Sequence, residues 1–315
     1  MFVPEYCDEG ATPIPSHLNL ETLQGKSVII TGGANGLGKA YAEAFVKARA
    51  YVTIADFNET AGKQTVSELS SEASQFVKCD VRSWDDQVLV FEAAIKNSPF
   101  HSCDIVIANA GIVGVDDLYK LEDPNSPPVK PDLRIIDINL IGLSYTAKLA
   151  LHYFRRQPLS PIRDRCLIIK GSIASYADQP GSPQYNISKW GARGLMRNLR
   201  RTTWKEGIRV NLVAPWYVRT PILSKDIQDY LDGKGVGFAL VEDSAKAMLK
   251  IASDASINGR AFGIVSRKDA PEGYMDLDHD DYKDGDILKG WQEIVLDTAH
   301  RIVVSARIRR CFFGS

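Results

Sequence analysis

The chain has 315 residues, 44% of them hydrophobic, and is long enough to bury the core of one large domain or two small ones. Its 38 basic and 39 acidic residues give a formal net charge of -1. That balance argues against nucleic acid or an anionic membrane as a partner, because no excess of positive charge would attract a polyanion.

The cysteines and the N-terminal residues predict the cellular compartment of the protein. Five widely spaced cysteines without a C-x-x-C pair favour free, mostly buried thiols in a reducing compartment and predict no metal site. Residues 1–23 have neither the apolar run of a secretory signal nor the basic pattern of a transit peptide, so we expect a cytoplasmic protein. No apolar stretch approaches the roughly 18 residues of a membrane span. The cysteines are Cys7, Cys79, Cys103, Cys166 and Cys311.

From Lys26 onwards, short β-branched runs alternate with longer amphipathic ones. This alternation predicts an α/β fold: a single doubly wound parallel sheet of about seven strands with helices on both faces, in one domain over residues 24–266. The predicted strands span 27–30, 51–54, 75–77, 104–107, 167–169, 210–213 and 261–264. The predicted helices span 37–49, 59–69, 84–97, 133–154, 185–204 and 244–251.

Two further stretches do not follow this alternation. Residues 115–131 contain four prolines and are predicted to be an irregular loop. Residues 267–315 form a C-terminal extension with an acidic, turn-like part and an amphipathic helix over 287–307. We expect this helix to dock on the domain or on a second subunit, although the basic tail at Arg307, Arg309 and Arg310 leaves a membrane-surface role open. Its apolar positions are Ile287, Trp291, Ile294, Val295, Ile302 and Val303.

A glycine-rich segment, Thr31–Gly38, follows the first strand and opens the first helix. Its glycines allow close backbone approach to a dinucleotide's pyrophosphate at a helix N-terminus, although a tight turn without function is the alternative. Asp56 ends the second strand, where a carboxylate would accept hydrogen bonds from the adenosine ribose and repel a 2′-phosphate. The sequence therefore favours NAD over NADP, the alternative for Asp56 being a solvated helix cap.

Tyr185 and Lys189 stand four residues apart and would share one face of a helix. A nearby ammonium favours the phenolate, so we expect Lys189 to lower the pKa of Tyr185 toward the range useful for acid–base catalysis. A tyrosine and a lysine at this spacing are common, and the pair gains meaning from the motifs around it.

Residues 31–38, Asn109-Ala110-Gly111, Asn139, Ser172 and the segment 185–189 occur in an order that resembles the classical short-chain dehydrogenase/reductase family, over roughly residues 24–265. The resemblance implies a Rossmann-type fold with Tyr185 as acid/base and Lys189 on the nicotinamide ribose. It also implies that Ser172 polarises the reacting oxygen and that Asn139 anchors a water in a proton relay. Ser175 is the alternative serine.

The resemblance also implies cofactor and substrate contacts. Two residues depart from the family pattern, Ala108 at a structural turn and Trp216, which replaces a glycine near the nicotinamide. The substrate is expected at Ser172, Tyr185, Trp216 and Tyr217, beneath a covering segment that includes Pro221, Ile222, Leu223, Val236, Phe238 and Leu240. The expected cofactor-binding residues are Gly32, Asn35, Gly36, Leu37, Gly38, Asp56, Asp80, Val81, Asn109, Ala110, Gly111, Tyr185, Lys189, Val218 and Thr220.

Within the family, the sequence is most similar to the NAD-dependent group that includes 15-hydroxyprostaglandin dehydrogenase and fungal secondary-metabolite alcohol dehydrogenases. The features that it shares with this group are Asp56, the Trp216 loop and the long C-terminus. We therefore expect NAD-dependent oxidation of a secondary alcohol on a bulky lipophilic small molecule, the direction being favoured because cellular NAD is mostly oxidised. The alternatives are an NADH-dependent ketone reductase and a nucleotide-sensing regulator without turnover. Family resemblance further implies a homodimer or homotetramer, paired through helices 133–154 and 185–204.

Overall fold

The computed structural model describes residues 3–15, 17–158, 160 and 163–312, with side chains described as far as residue 299. The chain divides into two compact units, residues 1–277 and residues 278–315. The first unit contains the sheet and every residue of the predicted site.

Eight strands form one sheet in the order β3-β2-β1-β4-β5-β6-β7-β8. The first seven run parallel, and β8 pairs antiparallel with β7. This confirms the predicted parallel sheet. The strands are β1 (Ser27–Thr31), β2 (Tyr51–Asp56), β3 (Ser74–Lys78), β4 (Ile105–Ala108), β5 (Cys166–Lys170), β6 (Arg209–Pro215), β7 (Ala261–Ile264) and β8 (Tyr274–Asp276).

Helices cover both faces of the sheet, as two separate apolar cores show. The residues of β5 alternate between them: Cys166 and Ile168 face the core shared with α1 and α8, and Leu167 and Ile169 face the core shared with α3, α5 and α6. The helices of this unit are α1 (Gly36–Lys47), α2 (Glu59–Leu69), α3 (Trp84–Asn97), α4 (Arg134–Ile136), α5 (Leu143–Arg156), α6 (Pro183–Leu199), α7 (Lys225–Gly233) and α8 (Val241–Ser253).

The structure differs from the sequence prediction at three places. The single helix expected over 133–154 is divided, because Asp137–Gly142 forms a π-helical turn between α4 and α5. Helix α7 was missed, since its residues were assigned to a loop covering the substrate. Strand β8 was also missed; it has only three residues and follows a glycine-containing turn.

The first residues pack against the end of the sheet near β7 and β8. The ring of Tyr6 lies 3.7 Å from the Arg200 guanidinium, and the backbone N–H of Thr12 donates to Asp276 (2.9 Å). Of the cysteines with described side chains, Cys7 is exposed, and Cys79, Cys103 and Cys166 are buried free thiols.

The second unit contains helix α9 (Ile287–Phe312), in agreement with the predicted helix start. Ile302, Val303 and the basic tail lie outside the residues whose side chains are described, so the predicted apolar face and the docking of this helix stay predictions. In the described part of the chain, no helix is both long and apolar enough to cross a membrane.

Candidate active site

A large cleft opens at the carboxyl ends of the parallel strands. In the sheet, β2 and β3 lie on one side of β1, and β4 and the later strands lie on its other side. A crevice forms at the carboxyl ends of the strands where the strand order switches in this way. The cleft has a volume of about 1290 Å³ and receives residues that follow β1, β2, β4, β5 and β6. It is large enough for a dinucleotide together with a second molecule.

The glycine-rich segment forms one wall of the cleft. Gly32 has φ +64°, and a Cβ there would lie 2.8 Å from the Ala110 backbone, so a larger residue would displace the neighbouring loop. At Gly38, in the first turn of α1, a Cβ would clash with the Gly32 carbonyl and come within 2.7 Å of the Asn109 amide. Both glycines are therefore needed for the loop to fold back against the start of α1.

Asn109 fixes the shape of this loop. Its Nδ2 donates to the backbone carbonyls of Thr31 (3.0 Å) and Gly32 (2.9 Å). In return, the Thr31 hydroxyl accepts hydrogen bonds from the backbone N–H groups of Asn109 and Ala110, both at 3.1 Å. The segment 109–111 thus connects β4 to the glycine-rich loop, and all three of its residues line the cleft.

Asp56 lies at the end of β2, beside the glycine-rich loop. Its carboxylate accepts the backbone N–H of Ala34 at 3.0 Å and that of Asn58 at 2.9 Å. These bonds hold a negative charge at the cleft, next to the glycine-rich loop. Asp80 lines the same end, with its carboxylate paired to Arg82 at 2.6 Å.

The two candidate serines have different surroundings. Ser172 follows β5, lines the cleft, and accepts the backbone N–H of Ala174 at 3.1 Å. Ser175 is fully buried, and its hydroxyl donates to the Lys189 carbonyl at 2.8 Å. Only Ser172 can therefore contact a molecule bound in the cleft.

Tyr185 and Lys189 lie in the first half of α6 and both line the cleft. The Lys189 ammonium lies 5.4 Å from the centre of the Tyr185 ring and donates to the Lys170 carbonyl at 3.2 Å. The Ser172 hydroxyl donates to the Pro215 carbonyl at 3.5 Å and lies close enough to Tyr185 to affect the pKa of the phenol. The spacing predicted from the sequence thus places a phenol, an ammonium and a hydroxyl around one point.

The pKa of Tyr185 differs from expectation. Burial raises it in the free protein, and the hydrogen bond from Ser172 lowers it only in part. Burial also lowers the pKa of Lys189 to about 8. The expected lowering of the tyrosine pKa was wrong for the free protein, because the loss of water around the phenolate raises this pKa.

Asn139 is buried in the π-helical turn and lies outside the cleft lining. Its amide exchanges two hydrogen bonds with the backbone of Ile112, at 2.8 and 2.9 Å, and lies 3.3 Å from the Ser188 hydroxyl. The side chain therefore joins the loop after β4 to α6, next to Lys189.

The other predicted residues are placed around the cleft as follows. Trp216 and Tyr217 pack edge to face, with ring centres 4.7 Å apart, at the end of β6. Thr220 lies beside Gly36 across the cleft. Val236, Phe238 and Leu240 lie outside the lining residues that the structure describes, unlike Pro221, Ile222 and Leu223. The remaining cofactor positions on the cleft are Asn35, Leu37, Val81 and Val218.

Several cleft residues were not predicted. Lys170 at the end of β5 and Val113 in the loop after β4 are examples, as are Asp178 and Gln179 before α6. Lys170 could have been noticed, since it is a lysine in an apolar strand directly before Gly171-Ser172. The others lie in irregular segments with no periodicity to place them.

A nicotinamide dinucleotide fits these residues. A glycine loop with no room for a Cβ lies at the start of α1, a carboxylate lies at one end of the cleft, and a hydroxyl, a phenol and an ammonium lie at the other. Fold and cleft together define a Rossmann-type, dinucleotide-binding protein.

Comparison with known proteins identifies the family. A family model described as short chain dehydrogenase matches residues 26–231. The 5'-hydroxyaverantin dehydrogenase of Dothistroma septosporum is 36% identical over 288 residues, 86% of this chain and 92% of that protein. The NADP-dependent dehydrogenase M3 of a Phoma species is 32% identical over 285 residues, 83% of this chain and 81% of that protein.

A solved structure agrees in fold. The 3-ketoacyl-(acyl-carrier-protein) reductase from Brucella melitensis, complexed with NADH, superposes with a TM-score of 0.68 at 24% identity, covering 77% of this chain and 98% of that one. The chain belongs to the short-chain dehydrogenase family, which confirms the resemblance drawn from the sequence. It is an oxidoreductase whose cleft residues fit a nicotinamide cofactor.

Proposed function

We propose that the protein is an NAD-dependent dehydrogenase that oxidises a secondary alcohol on a bulky, lipophilic small molecule to the ketone. The observation that carries the proposal is the convergence of Ser172, Tyr185 and Lys189 in one cleft with the glycine-rich loop. The three side chains offer a general base, a charge to tune it and a donor for the reacting oxygen.

Each side chain has one role in the reaction. Tyr185, as the phenolate, removes the proton of the substrate hydroxyl, and Ser172 donates a hydrogen bond to the substrate oxygen. Lys189 binds the nicotinamide ribose and favours the phenolate by its charge. The cofactor, when bound, supplies the hydride acceptor. Asn139 holds the loop after β4 against α6 and is proposed to anchor the relay water.

Asp56 supports NAD over NADP. Its carboxylate lines the adenosine end of the cleft, and two backbone N–H groups keep it in place. A 2′-phosphate placed there would meet this negative charge, and the next residue, Phe57, is apolar. The Phoma relative is named as NADP-dependent, so cofactor choice varies among similar proteins and must be measured for this one.

The far end of the cleft supports a lipophilic substrate. Trp216, Tyr217, Ile222 and Leu223 form an aromatic and aliphatic wall there, next to Ser172 and Tyr185. A wall of this kind favours a large apolar body with few polar groups. The name of the Dothistroma relative, a dehydrogenase of a hydroxylated compound, agrees with an alcohol as substrate.

The same residues serve the reverse reaction, because the donor and acceptor roles exchange without a change of geometry. We place the protein in the cytoplasm as a homodimer or homotetramer. The surface expected to pair includes Ile141, Ile187 and Trp190, which are large apolar side chains exposed along α6 and the turn beside it.

The experiment that tests the proposal follows the absorbance of reduced nicotinamide while the purified protein is mixed with a panel of lipophilic secondary alcohols and either NAD or NADP. We expect turnover with NAD, much weaker turnover with NADP, and loss of turnover in Tyr185→Phe, which keeps the ring but not the hydroxyl. Asp56→Asn removes only the charge and is expected to reduce the preference for NAD by about tenfold or more, since two charges about 4 Å apart interact by about 1–4 kcal/mol.

Two results would contradict the proposal. A preference for NADP in the unchanged protein would show that Asp56 does not select the cofactor. Turnover that survives Tyr185→Phe would show that another group moves the proton. If NAD binds and no alcohol or ketone reacts, the protein would instead resemble a nucleotide-sensing regulator.

A further inference from the structure

Lys170 occupies a position where the sheet is otherwise apolar. It is the last residue of β5, on the face where Cys166 and Ile168 are fully buried in the core under α1 and α8. A strand residue at this spacing is expected to be aliphatic. The lysine side chain instead lines the cleft, two residues before Ser172 in the chain.

The Lys170 ammonium joins two elements under the glycine-rich loop. It donates to Asn109 Oδ1 at 3.0 Å and to the Tyr41 hydroxyl at 3.3 Å, and it lies 5.3 Å from the centre of the Tyr41 ring. The Tyr41 hydroxyl is in turn 2.7 Å from the Ser244 hydroxyl of α8. These groups form a polar chain between two layers of the fold.

The bond to Asn109 decides which way its amide points. Because Lys170 can only donate, the atom that it contacts must be the amide oxygen of Asn109. The amide nitrogen is then directed to the carbonyls of Thr31 and Gly32. Lys170 therefore acts on the glycine-rich loop through Asn109.

The charge of Lys170 has no counter-charge nearby. Among the residues that the structure describes, no carboxylate forms an ion pair with it. The titratable groups that face it are the Tyr41 phenol from α1 and the Lys189 ammonium from α6; Ser244 and Asn109 are neutral. Burial and, to a smaller extent, the charge of Lys189 together lower the pKa of Lys170 to about 7. Tyr41 stays protonated, since burial raises its pKa.

We propose that Lys170 is a positioning residue for dinucleotide binding: it orients Asn109 so that the glycine-rich loop keeps its binding shape, and its unneutralised positive charge favours the anionic dinucleotide. The inference rests on the proposed function only in that the cleft must bind NAD. A purely structural lysine would be expected to have a carboxylate partner, because burying an unpaired charge costs stability. Here the compensating anion would arrive with the cofactor.

The test measures the dissociation constant of NAD by titration calorimetry from pH 6 to pH 9, in the full-length protein, with Lys170→Met and Lys170→Gln. At pH 6 we expect Lys170→Met to bind NAD about tenfold more weakly, as for the loss of a hydrogen bond to a charged group. At pH 9 the dissociation constants of NAD for Lys170→Met and for the unchanged protein should differ less, because Lys170 of the unchanged protein is then neutral.

Lys170→Gln separates the two contributions, since it keeps a hydrogen-bond donor and loses the charge. We expect it to bind NAD with intermediate affinity and without the pH-dependent ratio. Thermal unfolding of the free proteins is the second measurement. Lys170→Met should unfold at the same or a higher temperature, because methionine suits the apolar face of β5.

The outcomes are distinct. Equal NAD affinity of folded Lys170→Met and unchanged protein at pH 6 would overturn this inference and leave the proposed function intact. A ratio that does not change with pH would overturn the role of the charge. Weaker binding accompanied by a much lower unfolding temperature would assign Lys170 a structural role instead. If the unchanged protein does not bind NAD or NADP, the proposed function fails as well.

Discussion

At the scale of single residues, Ser172 and Ser175 lie only three residues apart, yet one belongs to the candidate site and the other has a structural role. Both follow β5 and both hydroxyls are hydrogen-bonded, yet one faces the cleft and the other the Lys189 backbone. The sequence favoured Ser172 by its resemblance to the family pattern, and the structure adds the physical reason that Ser175 cannot replace it: its side chain is buried away from the cleft.

This difference gives a matched pair of substitutions. Ser172→Ala is expected to lower kcat by roughly 10²–10³-fold, the usual effect of removing a donor to the reacting oxygen. Ser175→Ala should mainly lower the free energy of unfolding, by about 1 kcal/mol for the lost hydrogen bond. Steady-state kinetics and urea unfolding of both variants measure the two effects. A larger loss of kcat in Ser175→Ala than in Ser172→Ala would show that Ser175, and not Ser172, contacts the reacting oxygen.

The pKa of Tyr185 predicts how the rate depends on pH. Alcohol oxidation needs the phenolate, and burial raises the pKa of this tyrosine in the free protein. The value of kcat/KM for oxidation should therefore rise with pH between 6 and 9, by up to about tenfold per unit, and that for ketone reduction should not. Lys189→Met should move the rise to higher pH. A flat profile for oxidation would argue against the tyrosine as the base.

At the scale of elements, the turn from β1 into α1 depends on the absence of a side chain. Gly38 lies in the first turn of α1, facing the Gly32 carbonyl and the Asn109 amide. Gly194 lies in α6, and a Cβ there would meet no atom within 4 Å. These two helical glycines differ only in their surroundings.

Gly38→Ala should therefore weaken NAD binding by roughly tenfold or more, since forcing a methyl group into packed atoms costs about 1–3 kcal/mol. Gly194→Ala should leave NAD binding unchanged and stabilise the protein by up to about 1 kcal/mol, the difference in helix propensity. Calorimetric titration and thermal unfolding test both. Unchanged NAD affinity in Gly38→Ala would mean that the loop does not form the cofactor wall.

The elements also show where sequence patterns stop being informative. Strands such as β5 were placed correctly because buried parallel strands are short, continuous apolar runs. The π-helical turn at Asp137–Gly142 has no such pattern, since its residues continue the helical periodicity of α4 and α5. It arises where the Asn139 amide pairs with the Ile112 backbone, a contact between residues 27 positions apart.

At the scale of the whole molecule, a buried ion pair connects the strand layer to the helix above it. The Arg209 guanidinium contacts the Asp164 carboxylate at 2.5 Å, and both side chains are almost completely buried. Arg209 also donates to the carbonyls of Ile251 and Ile257, near the end of α8. One side chain thus joins β6, the start of β5 and the end of α8.

Asp164→Ala should lower the free energy of unfolding by about 3–5 kcal/mol, because it leaves a buried guanidinium without its counter-charge. The control is Asp232→Ala, which removes the partner of Arg219 in an exposed pair and should cost less than about 1 kcal/mol. Urea unfolding of the two variants at pH 7 gives the comparison. Similar small losses would show that water reaches Arg209 when Asp164 is removed.

The sequence by itself determined the parallel sheet, the loop at residues 31–38 and the family. Each depends on local order along the chain: apolar runs that must be buried, glycines between a strand and a helix, and a tyrosine and a lysine one helical turn apart. Only the tertiary structure decided that the Ser175 hydroxyl is bonded to the Lys189 backbone, that burial raises the pKa of Tyr185, and that Lys170 lies against Asn109. These depend on how much water remains around a group and which distant residues surround it, and neither quantity is encoded in local spacing.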